Sequence, residues 1–373
     1  MKIAIVISNF LPKWVAGSEV ATLNIAQHLV ALGHNVHIVT SRDEGMPYES
    51  VEGGIHLHRI YRPPSNFTGR AIAFWLIAFW LSVLYSLSRV KPHIIHFQGD
   101  FLGPCGYFAK RLYKRPYVVW SRGYGPKTRA RTRATATYLK DADAVIASTN
   151  DIRQELQKIW PREISVIPNG IDAERFERVS REDARFQLGI EPAEKIVLFV
   201  GRFFPVKGVK YLIAAMPRVR HKEPLARLML IGSGPEEEEL RMLVDELGLS
   251  ECIHFVGAVQ NDSIPAYMVA SDVLVLPSLS EGFPMVTVEA MAASLPIVTT
   301  DVRGIPSIVE DGINGFLVKP KDAAQIADKV SFILGDPELR RVISTNNKKK
   351  AQHYTWDRVV HDLERVYSKC IGP

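Results

Sequence analysis

The stretch Lys2–Ser8, KIAIVIS, is apolar at nearly every position rather than at every second one. A strand with one face in water alternates, whereas a run like this belongs to a strand covered on both faces. The pattern recurs at Asn35–Ser41, Ile55–Tyr61, His93–Gly99, Tyr117–Gly123, Ala144–Thr149 and Ile164–Pro168. Helical stretches separate most of these runs, as in Ser18–Leu32, which Gly33 ends. Strand, helix, strand in this rhythm specifies a parallel sheet with helices on both faces, an α/β class.

The rhythm breaks at Pro168-Asn169-Gly170-Ile171-Asp172, and a highly charged stretch follows. A second series then begins, at Ile196–Gly201, Arg227–Ile231, Ile253–Gly257, Val273–Pro277 and Ile297–Thr300. At 373 residues the chain is too long for one comfortable core and suits two domains. Two Rossmann-like halves are expected, the first over 1–169 and the second over 170–353, with a hinge near Asn169-Gly170. Sheets of this kind bind ligands beyond the carboxyl ends of their strands, so a cleft between the halves is the expected site.

Hydrophobic residues make up 47% and charged residues 23%, a globular composition. Cys105, Cys252 and Cys370 lie far apart, which suits reduced thiols in a cytoplasmic protein and offers no zinc spacing. The opening MKIAIVISNF reads as a first strand rather than a signal peptide. Net charge is +6, and from Lys110 to Lys140 there are ten Lys or Arg and no Asp or Glu. With nothing acidic in the stretch to neutralise it, this run is expected to attract an anion. Residues 71–88 carry no charge over 18 positions, near the lower limit for a membrane span. Three serines and the lack of a second such segment argue against spanning. A buried helix is preferred, with a helix lying on the inner membrane surface as the second reading.

The chemistry concentrates in SEGFPMVTVEAMA, residues 280–292. Pro284 suits the first turn of a helix expected to run to about Ser294. The N–H groups near Phe283, Met285 and Val286 would form an anion site at that helix end. Glu289 lies roughly 7.5 Å further along the axis, placed for ribose hydroxyls, and Glu281 is better suited to sugar hydroxyls than to phosphate. The bland alternative is a cap and a core ion pair. In VGRFFPVKG, Arg202 and Lys207 follow a strand end, a common pair for a diphosphate. Gly234 in IGSGP and Gly17 before the first helix let backbone approach a ligand, or simply make turns.

Together these residues resemble the retaining glycosyltransferases of family four, which have the GT-B fold of two Rossmann-like domains facing across a cleft. The resemblance rests on VGRFFPVKG, IGSGPEEEEL, FVGAV, SDVLVLPS, SEGFPMVTVEAMA and DGINGFLV, with the Gly17 loop, LVALGHNVHIVT, KPHIIHF and VIPNGID in the first half. It implies a nucleotide-sugar donor held by the second half. Arg202 and Lys207 match positions that hold the leaving diphosphate, Glu289 the ribose ligand, and Glu281 the group beside the donor sugar. Gly17, Gly234, Val256, Gly282, Phe283, Met285 and Val286 fall in the matching donor-site segments. No metal or other cofactor is implied, so Asp141-Ala142-Asp143 is read as structural. A closing helix, about 354–373, would return to the first domain.

The chain departs from the family at Gln98, where a histidine is common, and at Arg122, Ala16 and Ser294. His96, Gln98 and Arg122 are the acceptor-side candidates, and Arg122 amid the basic run suggests an anionic or lipid-linked acceptor. The expected activity is transfer of a sugar, from UDP or GDP, in polysaccharide or glycolipid synthesis. An epimerase of the same fold and a basic nucleic-acid-binding protein are the rivals, and no nucleic acid is expected. A dehydrogenase would need a G-x-G-x-x-G fingerprint, which is absent.

Overall fold

The computed structural model describes residues 1–12, 17–60, 69–99, 102–121, 139–158 and 160–372. The chain separates into two compact units, Met1–Gly170 with Trp356–Pro373, and Ile171–Thr355.

The first unit is built on strands β1 (Lys2–Val6), β2 (Asn35–Ser41), β3 (Glu49–Glu52), β4 (Ile55–Ile60), β5 (Ile94–Gln98), β6 (Tyr117–Ser121), β7 (Ala144–Ala147) and β8 (Ser165–Val166). They lie in the order β3-β4-β2-β1-β5-β6-β7-β8. All neighbours are parallel except β3, which runs antiparallel to β4. Sequence reading missed β3 because ESVE is a largely exposed edge with no apolar run. The Gly53-Gly54 pair, at φ 56° and 78°, makes the tight hairpin turn and was the available signal.

Helix α1 (Gly17–Ala31) packs on one face of this sheet beside the helix Trp356–Ile371. That last helix adds Trp356, Val359, Val360, Leu363 and Tyr367 to the core formed with Ile3, Ile5 and Ile25. A Cβ on Gly170 would lie 2.4 Å from the Trp356 ring, so glycine there is a packing requirement. The other face carries α2 (Gly69–Val90) and α3 (Gly103–Tyr113). Over residues 77–88 the buried-helix expectation holds for one face only. Phe79, Val83 and Leu87 are buried, whereas Ile77, Leu81 and Tyr85 are exposed. Among the described residues no helix is long and apolar enough to cross a membrane.

The second unit has strands β9 (Lys195–Val200), β10 (Ala226–Ile231), β11 (Ile253–Gly257), β12 (Val273–Leu276), β13 (Ile297–Thr300) and β14 (Phe316–Val318). Their order is β11-β10-β9-β12-β13-β14, and every pairing is parallel. From β9 the chain builds outward through β10 and β11, then returns to place β12 on the other side of β9. The carboxyl ends of β9 and β12 therefore form the switch point, the edge where open α/β sheets leave a crevice.

Candidate functional site

Two of the sequence candidates meet at that switch point. Beyond β9 the chain turns through Arg202 and a short 3-10 segment, Pro205–Lys207, into the helix Val209–Lys222. Beyond β12 it passes Ser278 to Glu281. The Lys207 Nζ donates to Glu281 Oε1 at 2.7 Å, and the Ser278 hydroxyl donates to the same oxygen at 2.6 Å. Leu279 N–H donates to the Val206 carbonyl at 2.7 Å, tying the two loops together. The Thr300 hydroxyl donates to the Ser278 carbonyl, which anchors that loop to β13. The Lys207–Glu281 pair joins residues 74 positions apart and was not anticipated. Ser278 was also missed, its only signal being the segment SLSEG itself.

Arg202 is exposed and lies over the Phe204 ring, 4.3 Å from its centroid. Among the described residues it has no carboxylate partner. Arg202 is thus a cation held by an aromatic face, its fork available for an anion.

The helix runs Met285–Ala292, with Pro284 at the N-cap position. Gly282 and Phe283 form the half-buried turn into it, and the Phe283 ring lies 6.2 Å from that of Tyr354. Thr287 N–H donates to the Pro284 carbonyl at 3.0 Å. The N–H groups of Met285 and Val286 have no acceptor among the described residues, so the first turn presents open donors and the positive end of the helix. The helix stops two residues short of the expected end. Ser294 sits at φ 58°, with its N–H on the Met291 carbonyl and Leu295 N–H on that of Ala290. This left-handed closure favours glycine, which accounts for the family's glycine here.

Glu289 behaves differently from Glu281. Glu289 is half-buried between the buried Val288, Ala290 and Met291, and among the described residues its carboxylate has no hydrogen bond or ion pair. Burial raises its pKa above the ordinary carboxylate range, and the Arg175 guanidinium opposes that shift. An unpartnered acid in such a place is costly unless something supplies donors.

Glycine at 234 serves the loop itself, since a Cβ there would meet the Phe203 carbonyl oxygen at 2.4 Å. Val256 is half-buried in β11 and packs against the core beneath the switch point.

Gly17 opens α1 in the first unit and is exposed; Ala16 and Arg122 lie outside the described residues. His96 requires a correction. It is fully buried, stacked on Trp120 at 5.6 Å, with its Nδ1 hydrogen-bonded to the Tyr367 hydroxyl at 2.5 Å. A histidine with no accessible surface cannot meet an acceptor; it belongs to the core under the last helix. Gln98 ends β5 and is also buried. The basic run is less open than expected. Lys110 pairs with Asp143 at 2.7 Å and Arg111 with Asp141 at 3.0 Å, so acids just beyond the run neutralise its first members. Asp143 also accepts from the Tyr117 N–H at 2.9 Å, a structural role.

Residues 180–350 match the family described as glycosyl transferases group 1, and residues 15–175 match glycosyltransferase family 4. An uncharacterized glycosyltransferase of Methanocaldococcus jannaschii is 31% identical, with 98% of each chain covered. A D-inositol 3-phosphate glycosyltransferase of Actinosynnema mirum is 27% identical, covering 95% of this chain and 92% of that one. Among solved structures, the sucrose-phosphate synthase of Thermosynechococcus elongatus superposes with a TM-score of 0.85 at 25% identity, covering 98% of both. Anabaena HepE in complex with UDP-glucose gives 0.79 at 22% identity, again covering 98% of both.

Proposed function

The chain belongs to the group 1, family 4 glycosyltransferases, has their GT-B fold, and is a transferase; from that premise we propose that it moves a sugar from a nucleotide diphosphate donor to an anionic or lipid-linked acceptor, with retention of configuration. The observation that carries this reading is the set of unspent groups at one switch point. Among the described residues Arg202 has no acid, the N–H groups of Met285 and Val286 have no acceptor, and Glu289 has no donor. A diphosphate, a ribose and a sugar satisfy all of them.

The chemistry follows from charge. Cleavage of the sugar–phosphate bond leaves positive character on the sugar and negative charge on the diphosphate. Arg202, Lys207 and the helix end stabilise the departing charge where it develops. Lys207 is held in place by Glu281 until a phosphate competes for it. Glu281 Oε1 is occupied by Lys207 and Ser278, which leaves Oε2 for sugar hydroxyls. Glu289 accepts from the ribose hydroxyls, which replace the hydration lost on burial. The acceptor attacks from the face the diphosphate leaves, and the diphosphate takes its proton. No protein nucleophile and no metal enters this scheme.

UDP is the preferred nucleotide, a choice supported by the UDP-glucose complex of the HepE neighbour. An anionic acceptor is supported by the relative named for inositol 3-phosphate and by the basic run. Calorimetry with UDP, GDP and their sugars tests the donor. Binding of a nucleotide sugar is expected, its affinity unchanged by a chelator, and binding of none of them sinks the reading. Turnover of donor without acceptor to a different nucleotide sugar would favour the epimerase instead.

A further inference from the structure

Among the described residues, the outer face of α2 from Ile77 onward is exposed. Ile77, Leu81 and Tyr85 recur every fourth residue and are 55%, 62% and 65% exposed. They form a stripe opposite the buried Phe79, Val83 and Leu87. Helix α3 packs alongside, where the Tyr113 hydroxyl donates to the Leu84 carbonyl at 3.1 Å. It adds the exposed Phe108 and Leu112, also four residues apart. Scattered exposed apolar residues need no explanation, but a stripe continued on a neighbouring helix does.

Cations gather at one end of both helices. Helix α2 leads into β5 and α3 into β6, adjacent parallel strands, so both helices end at the same edge of the sheet. Arg89 and Lys91 stand at the end of α2; Lys110, Arg111, Lys114 and Arg115 stand at the end of α3. Among the described residues their acidic partners are Glu49, Asp141 and Asp143. Six cations against three carboxylates leave a positive surplus beside the apolar stripe.

We infer that this face docks on the surface of an anionic lipid bilayer, with Ile77, Leu81, Tyr85, Phe108 and Leu112 at the acyl boundary and the cations among the headgroups. Apolar side chains on one helix face with Lys and Arg at the rim are the pattern of in-plane binding. A second copy of this chain is the competing occupant, but apolar contact alone would leave the positive surplus at the helix ends without a counter-charge. Bilayer docking is independent of the donor site, so its failure leaves the transferase reading untouched.

Flotation of the full chain with vesicles, without donor or acceptor, tests it. The chain should float with phosphatidylcholine–phosphatidylglycerol vesicles and stay behind with phosphatidylcholine alone. Leu81→Asp with Tyr85→Asp should weaken partitioning by about tenfold or more, with an unchanged melting curve because both sites are exposed. Lys114→Glu with Arg115→Glu should weaken it and flatten its salt dependence. The inference fails if the chain ignores acidic vesicles or if the Asp variant floats as well as the parent. It also fails if the chain is instead a dimer that Leu81→Asp converts to monomers.

Discussion

Each unit is a parallel sheet flanked by helices, and each carries polar side chains in or near its core, but the two use them differently. In the second unit Arg202, Glu289 and the first N–H groups of the Met285–Ala292 helix follow the ends of β9 and β12, and nothing among the described residues satisfies them. In the first unit the corresponding chemistry is turned inward. His96 is locked against Trp120 and Tyr367, Asp141 and Asp143 hold the end of α3, and His56 and His58 of β4 each stack on His37 of β2. The same residue types therefore mean different things: a polar group that the fold has already satisfied is structure, and one that it has left open is a candidate for binding.

The sharpest way to break this contrast is to remove an open cation. Arg202→Ala is expected to lower kcat by about 10²–10³-fold through lost stabilisation of the leaving group, with little effect on melting. Steady-state kinetics that show less than a few-fold loss would erase the distinction.

The inward chemistry should answer to pH rather than to substrate. Burial, then the neighbouring His58, His56 and Lys2, pull the His37 pKa down to about 4. His58 is lowered as well, chiefly by burial. Above the ordinary value of 6.5 both folded and unfolded chains hold His37 neutral and nothing is lost. As pH falls below 6.5 the unfolded chain takes a proton that the folded one refuses, and the loss is complete below about 4. Its full size is about 3 kcal/mol. Denaturant titrations across this range should show the decline, and a His37→Phe variant should flatten it.

A third test separates binding from stability at one residue. Glu289→Gln removes a carboxylate that burial disfavours, so the variant should melt at higher temperature near neutral pH while donor binding weakens about tenfold or more. The sign follows from the raised pKa: as pH rises above the ordinary carboxylate value the unfolded chain ionises first, and the stability lost is complete once pH passes the higher folded value. Loss of both properties together would make Glu289 an ordinary core residue. The smallest effect is expected at Ser294, where Ser294→Gly relieves the left-handed backbone and should stabilise by about 0.5–1 kcal/mol with unchanged kinetics.

The halves differ again in how far they could be read from sequence. Strands β2 and β13 matched their expected bounds because their residues are almost all buried, and β11 did so although it is an edge strand. β3 escaped because an edge strand has no face that must be apolar. At the site, the helix of Glu289 and the loop of Lys207 were legible as local patterns. The Lys207–Glu281 pair was not, since it depends on β9 and β12 being neighbours. His96 misled for the same reason: its partner Tyr367 is 271 residues away on the last helix.

The helix Trp356–Ile371 carries a consequence for synthesis. The second unit is an insertion whose ends meet where Ile171 N–H donates to the Tyr354 carbonyl at 2.7 Å. It has all its strands once residue 318 is made. The first unit, begun earlier, lacks Trp356, Leu363 and Tyr367 until the chain beyond the second unit leaves the ribosome. The half that is translated first is the last to close its core.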